Sequence, residues 1–294
     1  MQPILKNTNA HRATSPELLS IKKILVLEGL IGSGKTTQAD MLQASLQENK
    51  NICFVIEPVD EWIQRDFLEQ MYTYRMPAFM FQNAALISLI TPLIQALNDP
   101  AIDLIVCERS IWSNLEVFAK QTLGDNDEYI LPPEVALTKD TADELRQKQL
   151  KAYQYIWSHL QAQLVTSHML DVTFVFLHTD AVTATTRAQK RGRKGESGIV
   201  SETYQEKLFM RYQSLLQAAG NNQLYTLSDD PIGRDLVKER VSSRAVRINA
   251  SIGREEVHET MSEIAQYMLT GRLTNKAREI FESDISARFF GTDF

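Results

Sequence analysis

The feature that most constrains this chain is a glycine-rich turn between an apolar run and a helical segment. Gly29 is followed after four residues by Gly34, Lys35 and Thr36, in the spacing G-x-x-x-x-G-K-T. Glycines let the backbone curl until successive N–H groups point at phosphate oxygens, and the N-terminus of the following helix adds partial positive charge. In such a loop the lysine reaches the β- and γ-phosphates, and the threonine hydroxyl binds Mg²⁺. We therefore expect ATP and Mg²⁺ here. The residues expected to hold them are Gly29, Ile31, Gly32, Ser33, Gly34, Lys35, Thr36 and Thr37.

Five short runs rich in β-branched and apolar residues recur along the chain, with helical segments between them. Strands that alternate with helices indicate a parallel sheet covered on both faces, so the predicted fold class is α/β. Three of the runs end in an acidic residue, namely Glu28, Glu57 and Glu108. Because the carboxyl ends of the strands line the ligand crevice of an open parallel sheet, we expect the chemistry at that edge. The five predicted strands are 23–28, 52–57, 103–108, 172–178 and 245–249.

The segments between the strands differ in character. A stripe of methionine and aromatic residues predicts one long helix over residues 64–98. A polar segment that contains proline predicts an inserted loop at about 122–142. The helix predicted at 147–164 carries an apolar stripe that suits a subunit contact and an internal core equally well. Residues 221–233 predict a second irregular segment before the last strand.

Composition and charge constrain the partners. The 294 residues are 44% hydrophobic and show no repeat, which predicts a single domain at 23–294 after a flexible tail at 1–22. The net charge of −6 gives no electrostatic reason to expect a nucleic-acid polymer or a membrane surface as partner. No apolar stretch approaches the ~20 residues that span a bilayer. The tail carries Lys6, His11 and Arg12 but lacks the arginine richness of a transit peptide, so we expect a cytoplasmic protein, with a mitochondrial one as the alternative.

Three further segments follow the second, third and fourth predicted strands. They are Glu-Pro-Val at 57–59 with Trp62, Glu-Arg-Ser at 108–110, and TTRAQKRGRKGE at 185–196. Together with the phosphate loop, they resemble the deoxyribonucleoside kinase family in order, spacing and strand context, from about residue 23 to about residue 215. The resemblance implies a P-loop NTPase fold, nucleotide salvage, a homodimer, and transfer of phosphate from ATP to the 5'-hydroxyl of a small deoxyribonucleoside.

The resemblance also assigns roles to the acidic strand ends. An alcohol must lose its proton as the bond to phosphorus forms, and Glu57 matches the family's catalytic base. Arg109 matches the arginine that binds the 5'-hydroxyl region and the phosphoryl oxygens, beside Lys35. Glu108 matches the acidic residue that, with Thr36, binds Mg²⁺.

A second group of expected residues belongs to a mobile lid at about 187–200. The family closes an arginine-rich lid over the triphosphate, and Arg187, Arg191 and Arg193 match it. Glu196 matches the lid glutamate, which holds the sugar 3'-hydroxyl together with a tyrosine. That tyrosine is expected to be Tyr72, with Tyr74 as the alternative.

The base is expected in a slot after the second strand. Gln82 matches the residue whose carboxamide donates to and accepts from a base edge. Phe118 matches the stacking aromatic, and Trp62 and Phe81 complete the slot. Members that favour deoxycytidine or purine deoxynucleosides commonly carry an arginine and an aspartate where this sequence has Leu89 and Asn114. We therefore expect Asn114 to contact the substrate and pyrimidine deoxynucleosides to be slightly favoured.

Two other functions compete with this interpretation. A thymidylate-type nucleoside monophosphate kinase has aspartate where this chain has Ile31 and arginine where it has Ile56. Without that arginine, an incoming monophosphate would lose a charge partner worth on the order of 1.5 to 3 kcal/mol. A kinase-like structural subunit without catalysis would have lost its phosphate-binding residues, whereas Lys35, Glu57 and Arg109 are present here.

Overall fold

The computed structural model describes residues 19–73, 75–124, 139–194, 196, 199–227, 230–272 and 274–282. Most of the predicted tail, most of the predicted insertion and Tyr74 lie outside these described residues.

Five parallel strands form one sheet in the order β2-β3-β1-β4-β5. All five predicted strands are confirmed, and the fourth and fifth begin about four residues earlier than predicted. Because β1 lies between β3 and β4, with Leu27 opposite Glu108 and Glu28 opposite Phe176, the segments after β1 and β3 leave the sheet side by side. This is the switch point at which open α/β sheets bind ligands. The strands are β1 Ser20–Glu28, β2 Ile52–Val55, β3 Leu104–Glu108, β4 His168–His178 and β5 Val241–Asn249.

Helices cover both faces of the sheet, and β1 shows how the sequence divides between the two layers. Ile24 and Val26 point into one core, whereas Leu25 and Leu27 point into the other. Successive side chains of a strand point to opposite faces, so a strand buried on both faces is apolar throughout. The first core is completed by α4 Ala78–Asn98, α7 Lys139–Thr166, α8 Ala181–Arg191, α9 Glu202–Gly220 and α10 Pro231–Arg240, and the second by α1 Lys35–Ser45, α11 Arg254–Thr270 and α12 Asn275–Glu282.

The prediction of one helix over residues 64–98 is wrong. The segment forms α2 Val59–Gln64, α3 Phe67–Tyr72 and α4, which begins after Pro77. Asp66 adopts a left-handed backbone with φ of 57°, which no α-helix can contain, and it separates α2 from α3. Pro77, which has no N–H to donate, is the N-cap residue of α4, although the helix does tolerate Pro92 in its interior. The breaks bring Met71, Tyr72, Met76 and Phe81 of the stripe into a third apolar cluster with Trp62, whereas Phe79 packs against the first core and Met80 is exposed.

The prediction of irregular structure over 221–233 is also partly wrong. A 3₁₀ turn spans Leu224–Leu227, and α10 begins at Pro231. The Asp230 side chain accepts a hydrogen bond from the Gly233 backbone N–H at 2.7 Å, so an Asp-Pro pair that suggests a loop is in fact an N-cap followed by proline at the first helical position.

One described helix, α4, is long and apolar enough to cross a membrane by length and composition, contrary to the expectation from sequence. Half of its apolar window is buried within the protein. The core helix of a soluble protein passes the same test, so the finding is only a weak indication of a membrane span.

Candidate active site

The glycine-rich turn after β1 forms a tight loop that opens α1. Gly29, Gly32 and Gly34 have φ values of 147°, 93° and 100°, which side-chain-bearing residues rarely adopt. A Cβ atom on Gly32 would lie 2.3 Å from the Ala184 carbonyl oxygen, so the loop packs directly against α8. The glycines are therefore needed both for the curled backbone and for contact with a neighbouring helix.

Lys35 is 5% exposed. Its ammonium donates to the carbonyl oxygens of Gly29 at 3.1 Å and Leu30 at 2.9 Å, so the side chain folds back along the loop. Burial, followed by the nearby Arg109 cation, lowers the pKa of Lys35 to about 7, against the opposite effect of Glu57 and the other carboxylates. Phosphate anions would restore the positive charge.

A fully buried amide side chain fixes the middle of the loop. Gln205 on α9 accepts from the backbone N–H of Ile31 at 3.2 Å and donates to the Ile31 carbonyl oxygen at 2.6 Å. One carboxamide thus satisfies both polar groups of a single loop residue. Gln205 was not predicted, because a glutamine in an amphipathic helix carries no local sign of so distant a contact.

Thr36 and Glu108 meet where the predicted Mg²⁺ site lies. The Thr36 hydroxyl donates to Glu108 Oε1 at 2.6 Å. Burial raises the pKa of Glu108, and the neighbouring Glu57 raises it further, against Lys35 and Thr36. No described group of three or more His, Cys, Asp or Glu side chains is placed to hold a metal ion. Such a sparse protein donor set fits Mg²⁺, which keeps several waters and binds through one or two protein oxygens plus substrate phosphates.

Arg109 is the centre of a buried ionic network. Its backbone is left-handed, with φ of 71°, which turns the side chain back over the sheet edge. The guanidinium donates from Nε to the Glu57 carboxylate at 3.1 Å and 3.3 Å and from one terminal nitrogen to the Gly29 carbonyl oxygen at 3.1 Å. It also lies over the Phe118 ring, 4.4 Å from its centroid. Arg109 thereby joins the phosphate loop to the predicted base.

Behind Arg109 lie two residues that the sequence did not assign to the site. The Tyr212 hydroxyl accepts a hydrogen bond from the guanidinium and donates to Glu28 Oε2 at 3.1 Å. The Ser110 hydroxyl donates to the other oxygen of Glu28 at 2.7 Å. Burial raises the pKa of Glu28, against the nearby Arg109 charge. For Arg109 itself, burial alone would lower the pKa, but Tyr212, Glu57 and Glu28 raise it, with a net upward shift.

A cavity of about 920 Å³ extends from the phosphate loop past Arg109 to α4. At its far end Trp62 packs edge-on against Phe81, with ring centroids 5.5 Å apart. Gln82 and Asn114 are 2% and 4% exposed, and Asn114 Nδ2 donates to Gln82 Oε1 at 3.4 Å. Asn114 and Phe118 both belong to a π-helical segment, Asn114–Ala119, of a kind that occurs frequently at functional sites. That segment lies between α5 Ile111–Ser113 and α6 Lys120–Leu123.

Three charged side chains at the end of α8 and just after it, Arg191, Arg193 and Glu196, line the cavity. Arg191 donates to Glu196 Oε2 at 2.7 Å, and Arg193 lies 3.9 Å from the other Glu196 oxygen. Burial raises the pKa of Tyr72, and Tyr204 and Glu196 raise it further. Tyr72 therefore lies close enough to Glu196 to be affected by its charge, and it shares a hydrogen bond with Tyr204 of α9. That Tyr72 and Glu196 bind the sugar 3'-hydroxyl together stays a prediction.

The loop after β5 closes the end of the cavity nearest α1. Arg187 donates to the Ala250 carbonyl oxygen at 3.3 Å, and the Gln38 amide donates to the Arg254 carbonyl oxygen at 2.9 Å. Ala250, Ile252 and Arg254 line the cavity beside the phosphate loop. This wall is mostly apolar with one cationic side chain.

The family model for deoxynucleoside kinases matches residues 25–251 of this chain. The chain belongs to the deoxynucleoside kinase family. It is a nucleoside kinase, and hence a transferase. A solved deoxyadenosine kinase from M. mycoides, with the products dCMP and a flexible dCDP bound, has a similar fold, with a TM-score of 0.53 and 19% sequence identity; the match covers 83% of this chain and 98% of that one. No curated protein matches the chain in sequence.

The structure of this deoxynucleoside kinase brings the residues predicted from sequence together around one cavity. Gly29, the exception, lies just behind the lining and contributes its carbonyl oxygen to Lys35 and Arg109. The individual roles of these residues stay predictions. Those that line the cavity are Ile31, Gly32, Ser33, Gly34, Lys35, Thr36, Thr37, Glu57, Trp62, Tyr72, Phe81, Gln82, Glu108, Arg109, Asn114, Phe118, Arg187, Arg191, Arg193 and Glu196.

Proposed function

We propose that this deoxynucleoside kinase transfers the γ-phosphoryl group of ATP to the 5'-hydroxyl of a deoxyribonucleoside, with Mg²⁺ bound. One observation carries the proposal. The phosphate loop, the Glu57–Arg109 pair and an apolar slot with Gln82 line a single cavity, and Arg109 contacts both the loop, at the Gly29 carbonyl oxygen, and the slot residue Phe118. A sugar between a base in the slot and a triphosphate at the loop would place its 5'-hydroxyl beside Glu57.

Glu57 is the proposed general base. It lies two residues after β2 ends, and its carboxylate faces Arg109 at 3.1 Å. In the proposed reaction Glu57 accepts the proton of the 5'-hydroxyl as that oxygen bonds to the γ-phosphorus, while the bond from the γ-phosphorus to the leaving oxygen of ADP breaks. Arg109 stays charged, because its pKa is raised, and so can stabilise the negative charge on the phosphoryl oxygens. Glu28 and Tyr212 keep that guanidinium in place.

Thr36 and Glu108 would hold Mg²⁺. The ion would neutralise charge on the bridging and terminal phosphate oxygens. The close Thr36–Glu108 hydrogen bond places a hydroxyl and a carboxylate oxygen at one point of the cavity wall. Lys35 would bind the same phosphates from the other side of the loop.

Arg187, Arg191 and Arg193 form the proposed lid over the triphosphate. Three guanidinium groups within seven residues can bind several phosphoryl oxygens, and closure would exclude water. Glu196 and Tyr72 are proposed to bind the sugar 3'-hydroxyl. A hydrogen bond to Glu196 would use the acceptor capacity that its arginine partners leave free.

We propose a slight preference for pyrimidine deoxynucleosides because of two residues in the far wall of the cavity. Leu89 and Asn114 occupy the positions that carry charged residues in other members, and both line the cavity. The test is kcat/KM for the four natural deoxynucleosides. A clear preference for a purine would contradict this part of the proposal.

The nearest rival is a thymidylate-type monophosphate kinase, and a coupled assay of ADP release with thymidine and with thymidine monophosphate separates the two. We expect turnover of thymidine, because an apolar side chain occupies each of the two positions, 31 and 56, at which the rival carries a charge. Turnover of the monophosphate alone would contradict the proposal.

We further propose a cytoplasmic homodimer that acts in nucleotide salvage. Large apolar side chains are exposed on two helices of the same layer, Met80 and Ile87 on α4 and Tyr155 on α7. A second copy of the chain would cover such a surface. Light scattering on the purified protein gives the mass in solution, and a monomer at micromolar concentration would contradict the dimer.

A further inference from the structure

A short chain of buried polar groups runs from α7 to the base slot. The Tyr153 hydroxyl donates to Asn114 Oδ1, and Asn114 Nδ2 donates to Gln82 Oε1 at 3.4 Å. Tyr153 is 0% exposed and does not line the cavity, whereas Asn114 and Gln82 do. Among the described residues, the hydrogen bond to Asn114 is the polar contact that links Tyr153 to the cavity lining.

The chain of hydrogen bonds has one direction. A phenolic hydrogen in a fully buried position needs an acceptor, and among the residues that the structure describes Asn114 Oδ1 is the acceptor of Tyr153. With Oδ1 used in this way, Asn114 presents its NH₂ group to Gln82. Gln82 must then turn its carbonyl oxygen towards Asn114, which leaves its NH₂ group as a donor for a ligand.

Reversal of the Gln82 carboxamide would break this order. It would place the Gln82 NH₂ group against the Asn114 NH₂ group, two donors facing each other. If Asn114 turned as well, the buried Tyr153 hydroxyl would face an NH₂ group and its hydrogen would lose its acceptor. Because a buried donor without a partner is costly, Tyr153 holds both amides in one orientation.

We propose that Tyr153 is a positioning residue that makes the enzyme discriminate between 4-amino or 6-amino bases and their oxo counterparts. The inference rests on the proposed function, with Gln82 at the base. Cytosine and adenine present a ring acceptor beside an exocyclic amino donor, whereas thymine and guanine present a ring N–H donor beside an exocyclic carbonyl acceptor. The two patterns exchange donor and acceptor, so a carboxamide must turn by about 180° to pair with one after the other. A fixed Gln82 pairs with one pattern and opposes the other.

Two matched substrate pairs isolate this effect. Thymidine and 5-methyl-2'-deoxycytidine share a methyl group and differ only in the pattern at ring positions 3 and 4. Deoxyinosine and deoxyadenosine differ only at positions 1 and 6 of the purine. We expect the wild-type protein to favour the same class in both pairs by at least about tenfold in kcat/KM, because the wrong class loses at least one hydrogen bond.

In Tyr153→Phe both amides can turn, so the kcat/KM ratio within each pair should fall to within about threefold of one. A purely structural defect would lower kcat/KM for both members of a pair alike and leave the ratio unchanged. Tyr155→Phe is the matched control, since Tyr155 is exposed on the same helix. Its ratios should equal those of the wild type. If Tyr153→Phe does not fold, as judged by thermal unfolding, Asn114→Leu removes the same link and should relax the ratios in the same way.

Wild-type ratios near one, or unchanged ratios in a folded Tyr153→Phe protein, would overturn the inference about Tyr153. The proposed phosphorylation of nucleosides would be unaffected by either result. The absence of turnover with all four nucleosides in the wild-type protein would overturn the proposed function and the inference with it.

Discussion

Replacement of Lys35 by methionine should stabilise the nucleotide-free protein at low pH and much less at high pH. The buried Lys35 has a pKa of about 7, whereas a lysine in an unfolded chain has one near 10.5. Between those values the unfolded chain binds more protons than the folded protein does, so stability rises with pH. The unfavourable contribution of Lys35 is fully present below pH 7 and disappears as the pH approaches 10.5.

The two pKa values set the size of the effect. One proton contributes at most about 1.4 kcal/mol per pH unit, and the Lys35 difference of 3.5 units gives a free-energy change of about 3 kcal/mol between pH 6 and pH 9. Methionine keeps the length and apolar stem of the side chain but cannot titrate. The unfolding free energy of Lys35→Met minus that of the wild type should therefore fall by about 3 kcal/mol over this range.

Urea denaturation at pH 6, 7, 8 and 9 without nucleotide measures this difference, in which the titrating groups that do not interact with Lys35 cancel. Lys50→Met, at an exposed position in the turn between α1 and β2, serves as the control and should show no such trend. A difference between Lys35→Met and the wild type that stays constant from pH 6 to pH 9 would refute the argument that burial lowers the pKa of Lys35.

Three other variants test separate parts of the site. Glu57→Gln should lower kcat by a factor of about 10²–10⁴ and leave the affinity for ATP unchanged; a variant with wild-type kcat would remove Glu57 as the base. Gly32→Ala should abolish ATP binding, measured by calorimetry, because its Cβ would lie 2.3 Å from a backbone oxygen of α8; normal binding would show that the loop is not so tightly packed. Gln205→Leu should raise KM for ATP and lower the unfolding free energy by about 1–3 kcal/mol, because both backbone groups of Ile31 lose their partner. Unchanged KM for ATP would mean that the loop keeps its shape without this contact.

The sequence predicted those parts of the site that depend on short, contiguous segments. The phosphate loop is one such segment, because its glycines, Lys35 and Thr36 all lie within eight residues. Glu57 and Arg109 each follow an apolar run that predicts a strand, and the parallel sheet brings the two residues together. The strand order itself explains why the segments after β1 and β3 meet.

The remaining contacts come from helices whose local sequence serves a different purpose. Gln205 and Tyr212 lie on α9, and Tyr153 lies on α7, each at least 39 residues from the group that it binds. In the sequence these residues are polar or aromatic members of amphipathic helices. Such a pattern predicts that a residue is buried, but it does not predict which distant group the residue contacts. Asp66 carries no sequence sign that its backbone is left-handed, and the break that it makes in the helical segment could not be predicted.

The central claim is that the acceptor is the 5'-hydroxyl of a nucleoside. The most direct measurement is ADP release with ATP and Mg²⁺, in which thymidine is compared with 5'-deoxythymidine and with 3'-deoxythymidine. We predict phosphorylation of thymidine and, with a higher KM, of the 3'-deoxy compound, and no turnover of the compound that lacks the 5'-hydroxyl. Phosphate transfer to 5'-deoxythymidine, or none to any of the three while thymidine monophosphate is consumed, would contradict the claim.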